Sequence, residues 1–507
     1  MSWLKKNWLL IVILLAALFF RTYRIADTMT FLEDEGRDVL IAKRMIDTGR
    51  PVLLGPQTST GNMYLGPLYY YFITPALFIA QMDPVGPAVL IALTGVLTTY
   101  LLYYLGKKWY GDKSGYLAAI MFAVLPFGVA VTRSSWNPNL VPLISVLMLL
   151  VYDRIVFSKP KKLDWIYYGL LVGTMVQLHY MALIFCGVLS LSIALCKRKE
   201  LIALARGIGL ALVGFVIMLL PFFVFEIRND FVNTTALTRF MAAKEERNIR
   251  YDLPVWLWWD KVSKTSYRLI GNTFVGSEMG KQVSTPSVVA AFTVLLVLGL
   301  INALKSKNYS HSSIIVMFIF SMSILGIYQE NIHMHYIEFA IPLIIMSVVG
   351  LMGLKSYKLL KIAAFIFIIF CVYTGGTRSY HYISSGSTHQ AEKAKIITEY
   401  IAKKANGRPY NMVSSPKTST SPYQYFAFIN ANPPSNAAQK LVYMICQGEE
   451  CNPSDLQNPS MFIHGPSHPT LDNYIGHPMA TYVVEKKNVV SNEHVFIGIW
   501  VAEIVLE

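Results

Sequence analysis

Charge is scarce in this chain: only 15% of its 507 residues are Asp, Glu, Lys or Arg, whereas 54% are hydrophobic. That balance excludes an ordinary soluble enzyme, and several apolar runs are long enough for a bilayer, so the composition indicates a polytopic α-helical membrane protein. The glycine patterns of P-loop and dinucleotide-binding folds are missing, as are internal repeats and low-complexity tracts. Cysteine is rare too, with five in all. Only Cys446 and Cys451 lie in the polar C-terminal stretch; without a second pair they complete no zinc site, but outside the cytoplasm they are free to form a disulfide. The formal charge of +14 does not signal nucleic acid, because the basic residues collect in short links between apolar runs, the pattern that orients membrane proteins.

Orientation follows from those links. The first apolar run, behind Lys5 and Lys6, lacks a small-residue cleavage site and reads as an uncleaved signal anchor that carries the chain out of the cytoplasm. The basic links around Lys107, Arg154, Lys197, Lys305 and Lys358 are expected inside. This requirement lays residues 66–81 along the outer surface and folds 165–196 into a tight hairpin turning near Gln177, His179 and Tyr180. The expectation is about eleven spans, at 8–22, 85–106, 115–131, 139–157, 165–178, 181–196, 201–225, 286–304, 312–328, 337–354 and 360–375. Residues 1–376 form the membrane domain, with outer loops at 23–84 and 226–285, and 377–507 a small extracytoplasmic α/β domain. In that tail Ser387 and Gln390 signal a helix ending near Asn406 and Gly407, before strand-like runs at 410–413, 441–446, 461–464, 481–484 and 495–505.

Residues 30–49, TFLEDEGRDVLIAKRMIDTG, concentrate carboxylates at the membrane edge. Thr30 and Glu33 have capping-box spacing, which predicts a helix from Phe31 with Asp34 and Glu35 in or beside its first turn and an end at Gly49. Backbone N–H groups at a helix start favour ionised carboxylates, and an ionised carboxylate fixed beside a membrane is a candidate base. The same pattern also suits a polar helix that is simply a solvated face between membrane segments.

Further motifs are GNMYLGPLYYYFITP at 61–75, LLYYLGKKWYGDKSGYLAA at 101–119, TRSSWNPN at 132–139, QLHYMAL at 177–183, PFFVFEIRNDF at 221–231 and IHMHYIEFAIPL at 332–343. With the acidic pair, these motifs resemble the GT-C membrane glycosyltransferases, in particular the bacterial relatives of protein O-mannosyltransferases and lipid A aminoarabinose transferases. The resemblance covers roughly the first three quarters of the chain. It implies transfer of a sugar from a polyprenyl-phosphate donor to a lipid, glycan or protein acceptor at the outer face of the cell membrane. Asp34 would be the base and Glu35 its support.

The donor phosphate would be held from among Arg37, Arg133, Arg228, His333, His335 and Tyr336, and substrate contacts would come from Tyr64, Tyr69, Trp136, Asn137, His179 and Glu226. Plainer roles stand beside these: Arg133 snorkelling to lipid head groups, His333 and His335 as interfacial histidines, His179 capping the hairpin, Glu226 pairing with Arg228, and Tyr69 in an interfacial aromatic belt. Some relatives carry a second acidic residue where this chain has Asn139. No cofactor is therefore certain, and a divalent metal is left open. The competing reading is a transporter or flippase for a lipid-linked saccharide, which would need ionisable groups inside the spans, where this sequence has almost none.

Overall fold

Proline decides where the membrane helices break. In the computed structural model, residues 2–58, 63–242, 253–277, 285–328, 330–353, 357–415, 418–435, 439–452, 462–463, 487–496 and 498–506 are described. Among them six helical stretches are long and apolar enough to cross a bilayer: Val85–Tyr110, Asn137–Phe157, Tyr180–Lys197, Leu201–Met218, Thr285–Lys305 and Lys358–Ala405. Four shorter apolar helices accompany them, Asn7–Thr22, Leu68–Ile79, Tyr309–Leu325 and Ala340–Gly353. The expected spans 115–131 and 201–225 are each interrupted. Helix Asp112–Val124 stops before Pro126, and helix Leu201–Met218 stops before Pro221, because proline disfavours helical backbone in the residue before it and lacks the N–H that would continue the ladder.

The carbonyls freed by the first break find a buried cation. Pro126 cannot donate to Phe122 O, and Arg21 does so instead at 2.8 Å, with a second bond to Ala123 O at 3.0 Å. Backbone acceptors inside a bilayer must be satisfied by the protein, so Arg21 holds the first helix to the break rather than serving chemistry. At the second break Gln177 Nε2 donates to Met218 O at 2.9 Å.

Helices Lys162–Leu178 and Leu201–Met218 touch backbone to backbone at two glycines. A Cβ on Gly169 would lie 1.8 Å from Ala211 O, and one on Gly214 would lie 2.2 Å from Ile166 O. Small residues that let two backbones touch are how membrane helices associate when lipid removes the hydrophobic drive. The outer faces of Leu201–Met218 expose Leu201, Ile202, Leu212 and Ile217, as a lipid-facing helix does.

Two expectations are corrected. The loop expected at 226–285 contains helices Val232–Ala242 and Val255–Val275, and the second buries Leu269–Val275 in the bundle. Its first half keeps Trp256, Trp259, Asp260 and Lys264 outward, so its mean hydropathy hides it from a span search. Tyr69 and Tyr70 on helix Leu68–Ile79 are buried rather than spread along an interface, since this helix packs between Glu33–Thr48 and Val85–Tyr110.

After helix Lys358–Ser385 comes helix Gln390–Ala405, which ends in left-handed Asn406 and Gly407, and then a five-stranded mixed sheet. Strands β1 Asn411–Ser414, β2 Leu441–Gln447, β3 Phe462–Ile463, β4 Lys487–Phe496 and β5 Ile499–Leu506 lie in the order β3-β1-β2-β5-β4, with only β1 and β2 parallel. The run expected at 495–505 is split by Gly498 at φ 71° into the β4–β5 hairpin. The strand expected at 481–484 lies outside the described residues. Cys446 and Cys451 form a disulfide at the end of β2.

This domain is not a separate body. Phe31 stacks edge-on against Tyr425 and Phe426 of helix Ser421–Ile429, and its backbone N–H donates to Gln390 Oε1 at 2.7 Å. Gly36 touches the same helix so closely that a Cβ would come 2.6 Å from Pro422 N.

Candidate active site

The acidic helix runs from Glu33 to Thr48, two residues later than the capping-box spacing predicts. Glu33 does not cap it. Its carboxylate instead accepts from Thr420 N at 2.8 Å, Ser421 N at 3.1 Å and the Ser421 hydroxyl, because the N-terminus of helix Ser421–Ile429 offers unpaired donors. Glu35 takes over the capping role by accepting from Leu32 N at 3.0 Å. It is buried, and burial pushes its carboxyl up to about 7.

One helical turn past Asp34 lies Asp38, fully buried. Arg37 bridges the two, with Nη1 to Asp34 Oδ1 at 2.7 Å and Nη2 to Asp38 Oδ1 at 2.7 Å. Burial pushes Asp38 up to about 6, Arg37 pulling against it. Burial works against the Arg37 charge as well, but Asp38, Tyr70 and Asp34 outweigh it and raise its pKa. Arg37 is thereby neutralised by two carboxylates, and it orients Asp34, whose side chain remains 43% exposed.

Asp34 and Arg37 form one wall of a cavity of about 120 Å³. Gln57 and Thr58 of the loop before helix Leu68–Ile79, Trp136 and Asn137 of the next link, His179 and Tyr180 at the hairpin turn, and Tyr328, His335 and Tyr336 complete it. The aromatic wall is continuous: Trp136 to His335 4.3 Å, His335 to Tyr336 4.6 Å and Tyr336 to His179 4.8 Å between ring centroids. Burial, then the neighbouring His179 and His333, lowers His335 to about 3, and burial lowers His179 to about 4, so both imidazoles are neutral at pH 7. Asn137 Nδ2 is fixed on Leu178 O at 2.6 Å, tying the link to the hairpin. His179 both lines the cavity and caps the turn, its Nδ1 accepting from Met181 N at 3.1 Å.

The other expected residues sit elsewhere, each for a visible reason. Arg133 is buried, donating to Phe20 O at 2.7 Å, Tyr23 O at 2.8 Å and the Thr28 hydroxyl; it closes the C-terminus of the first helix and neither snorkels nor faces the cavity. Glu226 does not pair with Arg228: it accepts from Asn233 N at 3.1 Å and Thr234 N at 2.7 Å at the start of helix Val232–Ala242, while Arg228 points outward. Tyr69 donates to or accepts from Ser135 Oγ at 2.8 Å in the core. Tyr64 is held by Asn233 through both backbone groups and borders a different cavity. His333 is exposed, stacked behind His335 at 5.6 Å.

Sequence reasoning missed Asp38, Gln57, Thr58, Tyr180 and Tyr328 as neighbours of this cavity. Asp38 carries a signal, since i and i+4 carboxylates with a basic residue between share a helix face. The donor set does not suit a metal ion: among the described residues no three His, Cys, Asp or Glu side chains converge, and Asp34 is already engaged by Arg37.

No curated protein matches the sequence significantly. Residues 65–225 match the family model described as dolichyl-phosphate-mannose-protein mannosyltransferase. The crystal structure of ArnT from Cupriavidus metallidurans bound to undecaprenyl phosphate is similar with a TM-score of 0.56 at 11% identity, over 98% of each chain. The oligosaccharyltransferase AglB from Archaeoglobus fulgidus, in complex with an inhibitory peptide and a dolichol-phosphate, is similar with a TM-score of 0.50 at 12% identity, over 88% of this chain and 70% of that one. At such identities the likeness is one of fold, and the family segment spans helix Leu68–Ile79, the Trp136–Asn137 link and the His179 hairpin. The family likeness thus rests on residues 65–225, while the fold of nearly the whole length is similar to that of a membrane glycosyltransferase.

Proposed function

We propose that this protein transfers a sugar from a polyprenyl-phosphate donor to a lipid, glycan or protein acceptor, at the outer face of the cytoplasmic membrane. The observation that carries the reading is the Asp34 carboxylate, half exposed and held by Arg37, in one small cavity with His335, Tyr336 and Trp136. A sugar phosphate already has a good leaving group, so the enzyme must take a proton from the acceptor and stabilise the departing phosphate. Asp34 serves the first need. For the second, Arg37 contributes little net charge, and the His335 imidazole, neutral until a phosphate reaches it, and the Tyr336 hydroxyl supply hydrogen-bond donors at the cavity. The solved relatives hold undecaprenyl phosphate and dolichol-phosphate, which supports a lipid phosphate as donor.

The test uses purified protein in liposomes with a panel of polyprenyl-phosphate sugars and candidate acceptors. Wild-type protein should consume one donor, and Asp34→Asn should lose ~10²–10⁴ in rate, the contribution of a positioned general base. Folding should survive, because Arg37 keeps its pair with Asp38. Near wild-type transfer by Asp34→Asn would remove the base assignment.

A further inference from the structure

Behind the wall formed by Trp136 and His335 lies a second cavity, of about 300 Å³. It opens between Thr30, Ser134, Asn139, Asn272, Met334 and Tyr382 and shares Trp136 and His335 with the first. Glu338 lines it. This residue is 1% exposed, and its Oε2 is buried without any hydrogen-bond partner. The neighbouring amides are engaged: Asn139 Nδ2 donates to Ser134 O at 2.8 Å, and Asn272 Oδ1 accepts from Ser277 Oγ at 3.0 Å. A carboxylate oxygen buried without a donor is costly, and native proteins retain few such groups without a use.

The size of the two cavities divides the work. At about 120 Å³ the first accommodates a phosphate and the reacting atoms, but not a whole sugar beside them, whereas the second reaches the lower bound of ordinary ligand pockets, ~300 Å³. Its lining combines an aromatic face, amide and hydroxyl groups and one acceptor in need of a donor. That combination fits a polyhydroxyl ring, with an apolar face for Trp136 and an O–H for the carboxylate.

We propose that the Glu338 cavity is a saccharide subsite, in which a sugar hydroxyl donates to Glu338 Oε2 and the ring lies along Trp136. The subsite deepens the transferase reading and rests on it for the source of the sugar, which is either the hexose of the lipid-linked donor or a hexose of a glycan acceptor. Glu338 binds and orients the ring, while proton transfer stays with Asp34.

The experiment uses the full-length protein in nanodiscs with three probes: undecaprenyl-phosphate hexoses, sugar-free undecaprenyl phosphate and soluble methyl hexosides. Glu338→Gln should weaken the sugar-bearing donor by ~10-fold or more, since an amide nitrogen replaces one carboxyl oxygen and the buried hydrogen bond from the sugar hydroxyl is lost, and should leave the sugar-free lipid unchanged. If donor affinity is unchanged and the KM of a glycan acceptor rises ~10-fold instead, the ring belongs to the acceptor and the subsite stands. Glu338→Met fills the space without a polar group; its melting temperature should equal or exceed wild type while sugar binding is lost. A fall in melting temperature would give the carboxylate a structural duty and overturn the proposal, as would equal weakening of sugar-bearing and sugar-free lipid or no effect on either substrate. Should wild-type protein bind no lipid-linked sugar, the transferase reading falls and the methyl hexosides decide alone. Binding that Glu338→Gln abolishes keeps a saccharide site; no binding to wild type removes it.

Discussion

Glu35→Gln separates two adjacent carboxylates that the motif treats as a pair. Glu35 is 4% exposed, and burial, reinforced by Asp34 and Asp38 and opposed by hydrogen bonds from the Leu32 and Glu35 backbone, raises its pKa from 4.5 to about 7. As pH rises through the range from 4.5 to 7, the unfolded chain gives up this proton before the folded protein does. The group therefore leaves stability intact below pH 4.5 and diminishes it increasingly up to and beyond pH 7. The displacement corresponds to ~3 kcal/mol at pH 8.5 and ~1 kcal/mol at pH 5. Glutamine keeps an oxygen for the Leu32 N–H and has no proton to lose. Thermal unfolding in detergent, followed by tryptophan fluorescence, should show Glu35→Gln melting a few degrees above wild type at pH 8.5, with the gap closing towards pH 5. Asp38 titrates in both proteins, so the difference isolates Glu35. Sugar transfer should fall far less than in Asp34→Asn, because Glu35 does not border the cavity. A lower melting temperature at pH 8.5, or transfer as low as that of Asp34→Asn, would refute the division of roles.

Arg133→Ala removes donors from three buried acceptors and should cost ~2–4 kcal/mol of stability while the folded fraction binds donor normally; a selective loss of donor affinity would return Arg133 to the site. Because His335 is held to about 3 by burial and by His179 and His333, an arriving phosphate supplies the counter-charge it lacks, so donor binding should take up a proton and tighten from pH 7.5 to 5.5. Calorimetry in buffers of different ionisation enthalpy measures that uptake, and an uptake unchanged in His335→Ala would assign it elsewhere. Cysteines introduced at Ser306 and Ser385 should react with an impermeant reagent in intact cells only at Ser385; labelling of Ser306 would reverse the orientation.

The apolar runs, the hairpin turn at His179 and the acidic helix are legible in the sequence because each depends on local signals: hydropathy, basic links, and carboxylates ahead of an apolar stripe. Helix breaks at Pro126 and Pro221 follow from the residues themselves, although span counting passes over them. Helix Val255–Val275 is hidden because its polar first half dilutes the hydropathy of a buried second half. In the site, Asp34, Trp136, Asn137, His179, His335 and Tyr336 are drawn together as their motifs suggest. Arg133 and Glu226 could not be placed from sequence, since a buried cation closing another helix and a cation facing a ligand have the same one-letter code. Glu33 yields the capping role to Glu35 for a similar reason: the Thr420 N–H that claims Glu33 lies 387 residues away along the chain.

That separation has a consequence for how the protein is made. The acidic helix is made early in synthesis, but Thr420, which engages Glu33, follows it by 387 residues, with Ser421 and Pro422, which close over Gly36, directly after. At ~5–20 residues per second, on the order of 20–80 seconds pass before they exist. During that interval the helix that carries Asp34 has an unpaired carboxylate at its start and an open face along Gly36. Docking of the reactive helix thus waits on residues 420–422, and a ribosome that stops before them releases a bundle in which Arg37 holds Asp34 but nothing yet anchors Glu33 at the start of its helix.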